Sequence, residues 1–116
     1  MNLEALRSLC LSLPQAREKI QWGDHLLFTV ADKMFCITSL EPNNPTKLSF
    51  KCTPETFAEL IERPDVIPAP YMARNFWVAL EAWDALSPPE LRSFIAESHQ
   101  LIVKKLPKKA RAQLGL

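Results

Sequence analysis

Hydrophobic positions change their spacing along this chain, and the changes mark out its elements. Leu3, Leu6, Leu9, Cys10 and Leu13 fall on one stripe at helical spacing, with Asn2 as a cap before them and Pro14 as a stop after them. The period then shortens to two. Lys19-Ile20-Gln21-Trp22 reads as a short or edge strand. Leu26 to Val30 reads as a strand, and Met34 to Thr38 as its hairpin partner across Ala31-Asp32-Lys33. Glu41-Pro42-Asn43-Asn44-Pro45 has turn chemistry. From Lys47 to Cys52 the chain alternates: Leu48, Phe50 and Cys52 point one way, Lys47, Ser49 and Lys51 the other.

Helical spacing returns at Thr53-Pro54, a cap residue followed by proline at the first helical position. Phe57, Leu60 and Ile61 form the inward stripe, Pro64 marks the end, and Asp65 to Met72 is predicted to be an irregular, proline-rich connection. Phe76 to Leu80 reads as a fifth strand. Ser87-Pro88-Pro89-Glu90 is a capping box opening a third helix, with Leu91, Phe94, Ile95, Ser98, Leu101 and Ile102 inward. Pro107 disfavours helix at the residue before it, so this helix is expected to stop near Lys105, about 27 Å from its start. The predicted order is α-β-β-β-β-α-β-α. Hairpin-linked strands with one polar face predict an α+β fold, an antiparallel β-sheet with helices packed on one face.

Length and composition narrow the class. The 116 residues are expected to form a single domain, 1–116, in which 107–116 is a basic C-terminal tail. With 47% hydrophobic and 23% charged residues the chain reads as globular, not disordered. No apolar run approaches a membrane span, and Met1-Asn2-Leu3-Glu4 has none of the regions of a signal peptide, so no membrane partner is expected. Cys10, Cys36 and Cys52 lack paired spacing and read as buried free thiols, which suits a reducing cytoplasm. Two glycines in the whole chain leave no room for a Gly-rich phosphate loop.

Charge adds a polarity that the net value of +1 conceals. Lys104, Lys105, Lys108, Lys109 and Arg111 cluster at the end, and no acid follows Glu97. Such a cluster attracts a polyanion, of which nucleic acid is the common one, although cations there also offset the dipole of the preceding helix. Lys47 and Lys51, on the polar face of one strand, are candidates to extend the patch, and Arg74 to join it. Trp77 alternates away from Phe76 and Val78; exposed, its ring would stack on a base for about 1–3 kcal/mol. Five phosphate contacts imply a salt slope of about −4.5, a loss of several hundredfold in affinity between about 50 and 200 mM salt.

Other chemistries find little support. His25, His99 and Asp24 lie outside any metal-ligand spacing, so neither a metal site nor a cofactor is expected. Ser98 and His99 are neighbours on a helix and cannot face each other as nucleophile and base, and no G-x-S-x-G elbow is present. The chain therefore reads as no enzyme.

The motif Pro68-Ala69-Pro70-Tyr71, followed by Arg74 and Phe76-Trp77-Val78, resembles the last-strand region of the MmcQ/YjbR family. The stretch from Glu90-Leu91 through Ser98-His99-Gln100-Leu101-Ile102-Val103 to Leu106-Pro107-Lys108-Lys109 resembles that family's C-terminal helix. The resemblance implies a small cytoplasmic bacterial DNA-binding domain of "double wing" type, with a fold similar to type III secretion chaperones and to CyaY-like (frataxin-like) sheets. One departure is His99, where the family usually carries a tyrosine. The expected partner is DNA. The alternative is a protein- or peptide-interaction module that binds through the sheet face, as secretion chaperones do, with Trp22, Trp77, Trp83, Tyr71 and Met72 as anchors. Either way a monomer or weak dimer is expected.

Overall fold

The computed structural model describes residues 1–116. Helix α1 (Leu3–Leu11) leads into strands β1 (Ala16–Gln21), β2 (His25–Val30), β3 (Lys33–Ser39) and β4 (Leu48–Lys51). Then come α2 (Pro54–Leu60), β5 (Val66–Pro68), a short 3₁₀ turn (Ala73–Asn75), β6 (Trp77–Leu80), α3 (Pro88–Lys105) and α4 (Lys108–Leu114). The strands form one antiparallel sheet in the order β1-β2-β3-β4-β6-β5. The α+β class and the predicted succession of elements are present.

Local chemistry sets the helix boundaries. The side chains of Asn2 and Thr53 accept hydrogen bonds from the N–H groups of Ala5 and Thr56, at 2.8 and 3.1 Å. Ser87 and Glu90 close the capping box, and α3 ends at Lys105, before Leu106-Pro107. Residues 107–116 are not an open tail. After Pro107 they wind into α4, which Gly115 terminates at φ 73°, and Leu116 packs on the core. Residues 65–72, expected to be irregular, contain β5: Val66 pairs with Leu80 and Pro68 with Val78. Three residues ending in proline carry too little pattern to announce a strand, and here the partner strand supplies the order.

The β2–β3 hairpin closes through Ala31 and Asp32, both with positive φ, in the sense that suits the twist of the strands. Just beyond it the register slips. Phe28 pairs with Cys36 and Thr29 with Met34, so Phe35 is an extra residue, a β-bulge. The bulge turns both Phe35 and Cys36 into the main core. That core lies on the helical face and joins Leu6 and Cys10 of α1, Leu60 of α2 and Leu91, Ile95 and Ile102 of α3 to Phe28, Phe50 and Val78 of the sheet.

The second face of the sheet was expected to be open. It carries instead a smaller apolar cluster of Leu27, Ile37, Ala69, Trp77 and Ala79. The segment after β5 folds back across it: the Ala69 N–H donates to the Trp77 carbonyl at 2.9 Å, and the Trp77 N–H to the Met72 carbonyl at 3.4 Å. Trp77 is only 5% exposed as a result, which removes it as a base-stacking platform. The strand alternation placed Trp77 on the right face, but the covering loop was not visible in it.

Candidate nucleic-acid interface

The bulge also leaves a carbonyl without a ladder partner, and α3 supplies one. Ser98 Oγ, fully buried, donates to the Phe35 carbonyl at 2.7 Å and accepts from the Lys51 N–H at 2.9 Å. A single hydroxyl thus fastens α3 to β3 and to the end of β4. About two turns further along, the helix brings Lys105 to the same end of the sheet.

Three cations meet there. Lys33 follows the hairpin turn, Lys51 ends β4 and Lys105 ends α3, and together they line a cleft of about 310 Å³ with Asn75, Trp77 and one acid, Asp32. Lys51 Nζ donates to the Asn75 carbonyl at 3.0 Å. Burial, and then the charge of Lys105 beside it, hold the Lys51 ammonium below the usual lysine range. The charge that acts on it most is another cation, so an arriving anion would offset that repulsion.

The protein's ion pairs use other residues: Arg7 with Glu4 and Glu18, and Arg63 with Glu90. None of the candidate cations is neutralised in this way. Lys104, Lys108 and Lys109 are exposed, and Arg111 is half-buried. Lys104 precedes Lys105 at the end of α3, and Lys108, Lys109 and Arg111 lie on α4, which begins after Leu106 and Pro107. Arg74 is exposed and adjoins Asn75 in the 3₁₀ turn, at the same end of the sheet.

Lys47 does not belong to this group. It precedes β4, about 13 Å of strand away from Lys51. Its Nζ donates to the carbonyls of Asn44 at 3.1 Å and Pro42 at 3.5 Å, so it ties down the β3–β4 loop. Shared strand polarity had linked it to Lys51, but side chains of one face can stand at opposite ends of a strand. Lys33 is the residue that sequence reasoning missed. Its signal was present, since the residue after a two-residue hairpin turn must lie at the end of the sheet.

The largest cavity, about 530 Å³, lies toward the other end of the second face and is lined by Trp22, His25, Met34, Ile37, Tyr71 and Met72 among others. Trp22 is 60% and Tyr71 fully exposed. His25 packs edge-on against Trp22, with ring centroids 5.8 Å apart; its Nδ1 lies 2.7 Å from Asp24 Oδ1, but too poorly aligned for a hydrogen bond. His99 stands apart on the helical side, where its Nε2–H donates to the Pro14 carbonyl at 2.8 Å and its ring meets Phe35 edge-on. A histidine in that position anchors α3 to the α1–β1 connection. No helix is long and apolar enough to cross a membrane.

Comparison with known proteins gives a family match and solved structures of similar fold. The family model described as YjbR matches residues 11–101. A crystal structure of a structural-genomics target protein from Pseudomonas syringae is similar, with a TM-score of 0.70 at 20% identity over 87% of this chain and 98% of that one. At that identity the likeness concerns the fold. No curated protein gives a significant match.

Proposed function

The chain belongs to the YjbR family, and from that premise and its gathered cations we propose a non-enzymatic protein that binds nucleic acid through the phosphate backbone. Lys33, Lys51 and Lys105 form the centre of the contact, with Arg74 next to Asn75 in the chain, Lys104 next to Lys105, and Lys108, Lys109 and Arg111 on the helix that follows as further contacts. The observation that carries the reading is the unpaired state of these side chains together with the lysine–lysine proximity at Lys51. Keeping like charges together in a cleft is unfavourable without a ligand, and a phosphate offsets it. The three buried, unpaired thiols fit a protein that works in a reducing cytoplasm.

The test is DNA binding by fluorescence anisotropy at about 50 and 200 mM salt, a range over which phosphate contacts weaken steeply. Truncation before α4 is unsuitable, because Leu116 packs on the core. The double variant Lys51→Gln/Lys105→Gln keeps the fold and removes two contacts, so the salt slope should fall by about 1.8. No binding at low salt, or binding indifferent to this variant and to Lys108→Gln/Lys109→Gln, overturns the proposal. The aromatic cavity favours a second reading, a peptide- or protein-interaction module, whose binding would persist at high salt.

A further inference from the structure

Three adjoining depressions run along the second face of the sheet. The 530 Å³ aromatic cavity and the 310 Å³ lysine cleft are joined by a third depression of about 240 Å³. All three share Met34; the first and third share Trp22, and the third and the lysine cleft share Asp32. Lys19 lines the middle of the run. Strand β3 follows this path from Lys33 at the cationic end to Ser39 at the aromatic end, about 20 Å, the length of some six stacked nucleotides.

The two ends differ in kind. One presents unpaired ammonium groups, the other flat rings. Trp22 and Tyr71 stand at the rim in left-handed backbone, φ 57° and 66°, a conformation that bulky residues seldom adopt. A fold keeps such costs where the surrounding structure over-determines them, often at binding sites. In this case the strained backbone leaves Tyr71 fully exposed and Trp22 60% exposed, with only the His25 ring edge-on against it. Duplex DNA hides the faces of its bases, so protruding rings beside a cationic track fit a strand whose bases are free to stack.

Building on the nucleic-acid reading above, we infer that the preferred ligand is a single strand. Its phosphates lie along Lys105, Lys51, Lys33 and Lys19, and its bases stack on Trp22 and Tyr71. Those two aromatic residues, not the buried Trp77, are the base platforms.

The experiment compares a labelled mixed-sequence 12-nucleotide strand with its duplex, using the full chain, Trp22→Asn, Tyr71→Asn and Lys51→Gln/Lys105→Gln. Asparagine tolerates the left-handed conformation, so the aromatic variants keep the fold. Expected are tighter binding of the strand than of the duplex and quenching of Trp22 fluorescence by it. Each aromatic variant should lose at least about fivefold in strand affinity with an unchanged salt slope, while the lysine variant lowers that slope by about 1.4. Duplex binding equal to or tighter than strand binding, with the aromatic variants unaffected, overturns the inference and leaves the nucleic-acid reading in place. Absence of binding to either form at low salt overturns both. Salt-insensitive capture of a peptide in the Trp22–Tyr71 cavity, with no strand bound, also overturns it and assigns that end to a protein partner.

Discussion

Replacing Ser98 by alanine tests whether one buried hydroxyl holds the helix, the bulge and the lysine cleft together. The side chain is 0% exposed and makes two hydrogen bonds, to the Phe35 carbonyl at 2.7 Å and from the Lys51 N–H at 2.9 Å. Alanine leaves both backbone groups without a partner in a site too tight for water to reach freely. Each unsatisfied group costs about 1–3 kcal/mol, so the loss should be about 1.5–5.5 kcal/mol after allowing about 0.5 kcal/mol for the better helix propensity of alanine. For a domain of this size that is a fall of about 6–22 °C in Tm, out of a total stability of about 5–15 kcal/mol. Ser93→Ala is the control. Ser93 is exposed on the same helix, so it gains the propensity and loses no buried bond. Urea and thermal unfolding of both variants give the difference directly. A Ser98→Ala loss within about 0.5 kcal/mol of the Ser93→Ala value would refute the bridging role and place it at the level of an ordinary surface change.

Other outcomes follow from separate parts of the structure. Two hydrogen bonds from Arg63, with those from Ser87, hold the Glu90 carboxyl down to about 2 from the ordinary 4.5. Its contribution is therefore complete above pH 4.5 and lost as pH falls through about 2, so Glu90→Gln should be less stable at neutral pH and lose less over that acid window in unfolding titrations. Burial pushes the Cys52 thiol up to about 12 from 9, so its contribution is complete below pH 9 and lost as pH rises through about 12. Because all three thiols are buried, native protein at pH 8 should leave them unreacted with a disulfide reagent until it unfolds. Trp77→Ala should cost about 3–5 kcal/mol in chemical denaturation, as a core truncation does, while Trp77→Phe keeps both fold and DNA affinity. Lys47→Gln should lower DNA affinity less than Lys51→Gln, since Lys47 already binds loop carbonyls.

What the sequence revealed and what it concealed divide along a physical line. Features set by near neighbours in the chain were legible. The caps at Asn2, Thr53 and Ser87 announce themselves, as do the stop at Pro107 and the alternation of Leu48, Phe50 and Cys52 against Ser49 and Lys51. The concealed features are settled by partners distant in sequence. Strand β5 exists through its pairing with β6, the burial of Trp77 through a loop that returns across it, and the kinship of Lys33 with Lys105 through the sheet and α3 together. The bulge at Phe35 belongs to the same class, because an extra residue is defined only against the strand opposite.

This division bears on how the candidate site could have been found. A run of lysines at the C-terminus is visible to any count, yet the run alone does not distinguish a solvated helix end from a binding surface. What the structure adds is that two further lysines, remote in sequence, are brought to that end and take part in no ion pair. One position is fixed by a hairpin turn, and the other by the hydroxyl of Ser98 at the end of β4. Ser98 lies 63 residues from Phe35 and 47 from Lys51, so the contact that sets the cleft is among the longest-range in the molecule. The serine next to His99 attracts notice first as a possible nucleophile. Its structural work is to seat the helix that carries the cations. A variant that loses this bond while remaining folded should therefore bind nucleic acid more weakly although no charge has been removed, because Lys51 and Lys105 would no longer be held at one cleft.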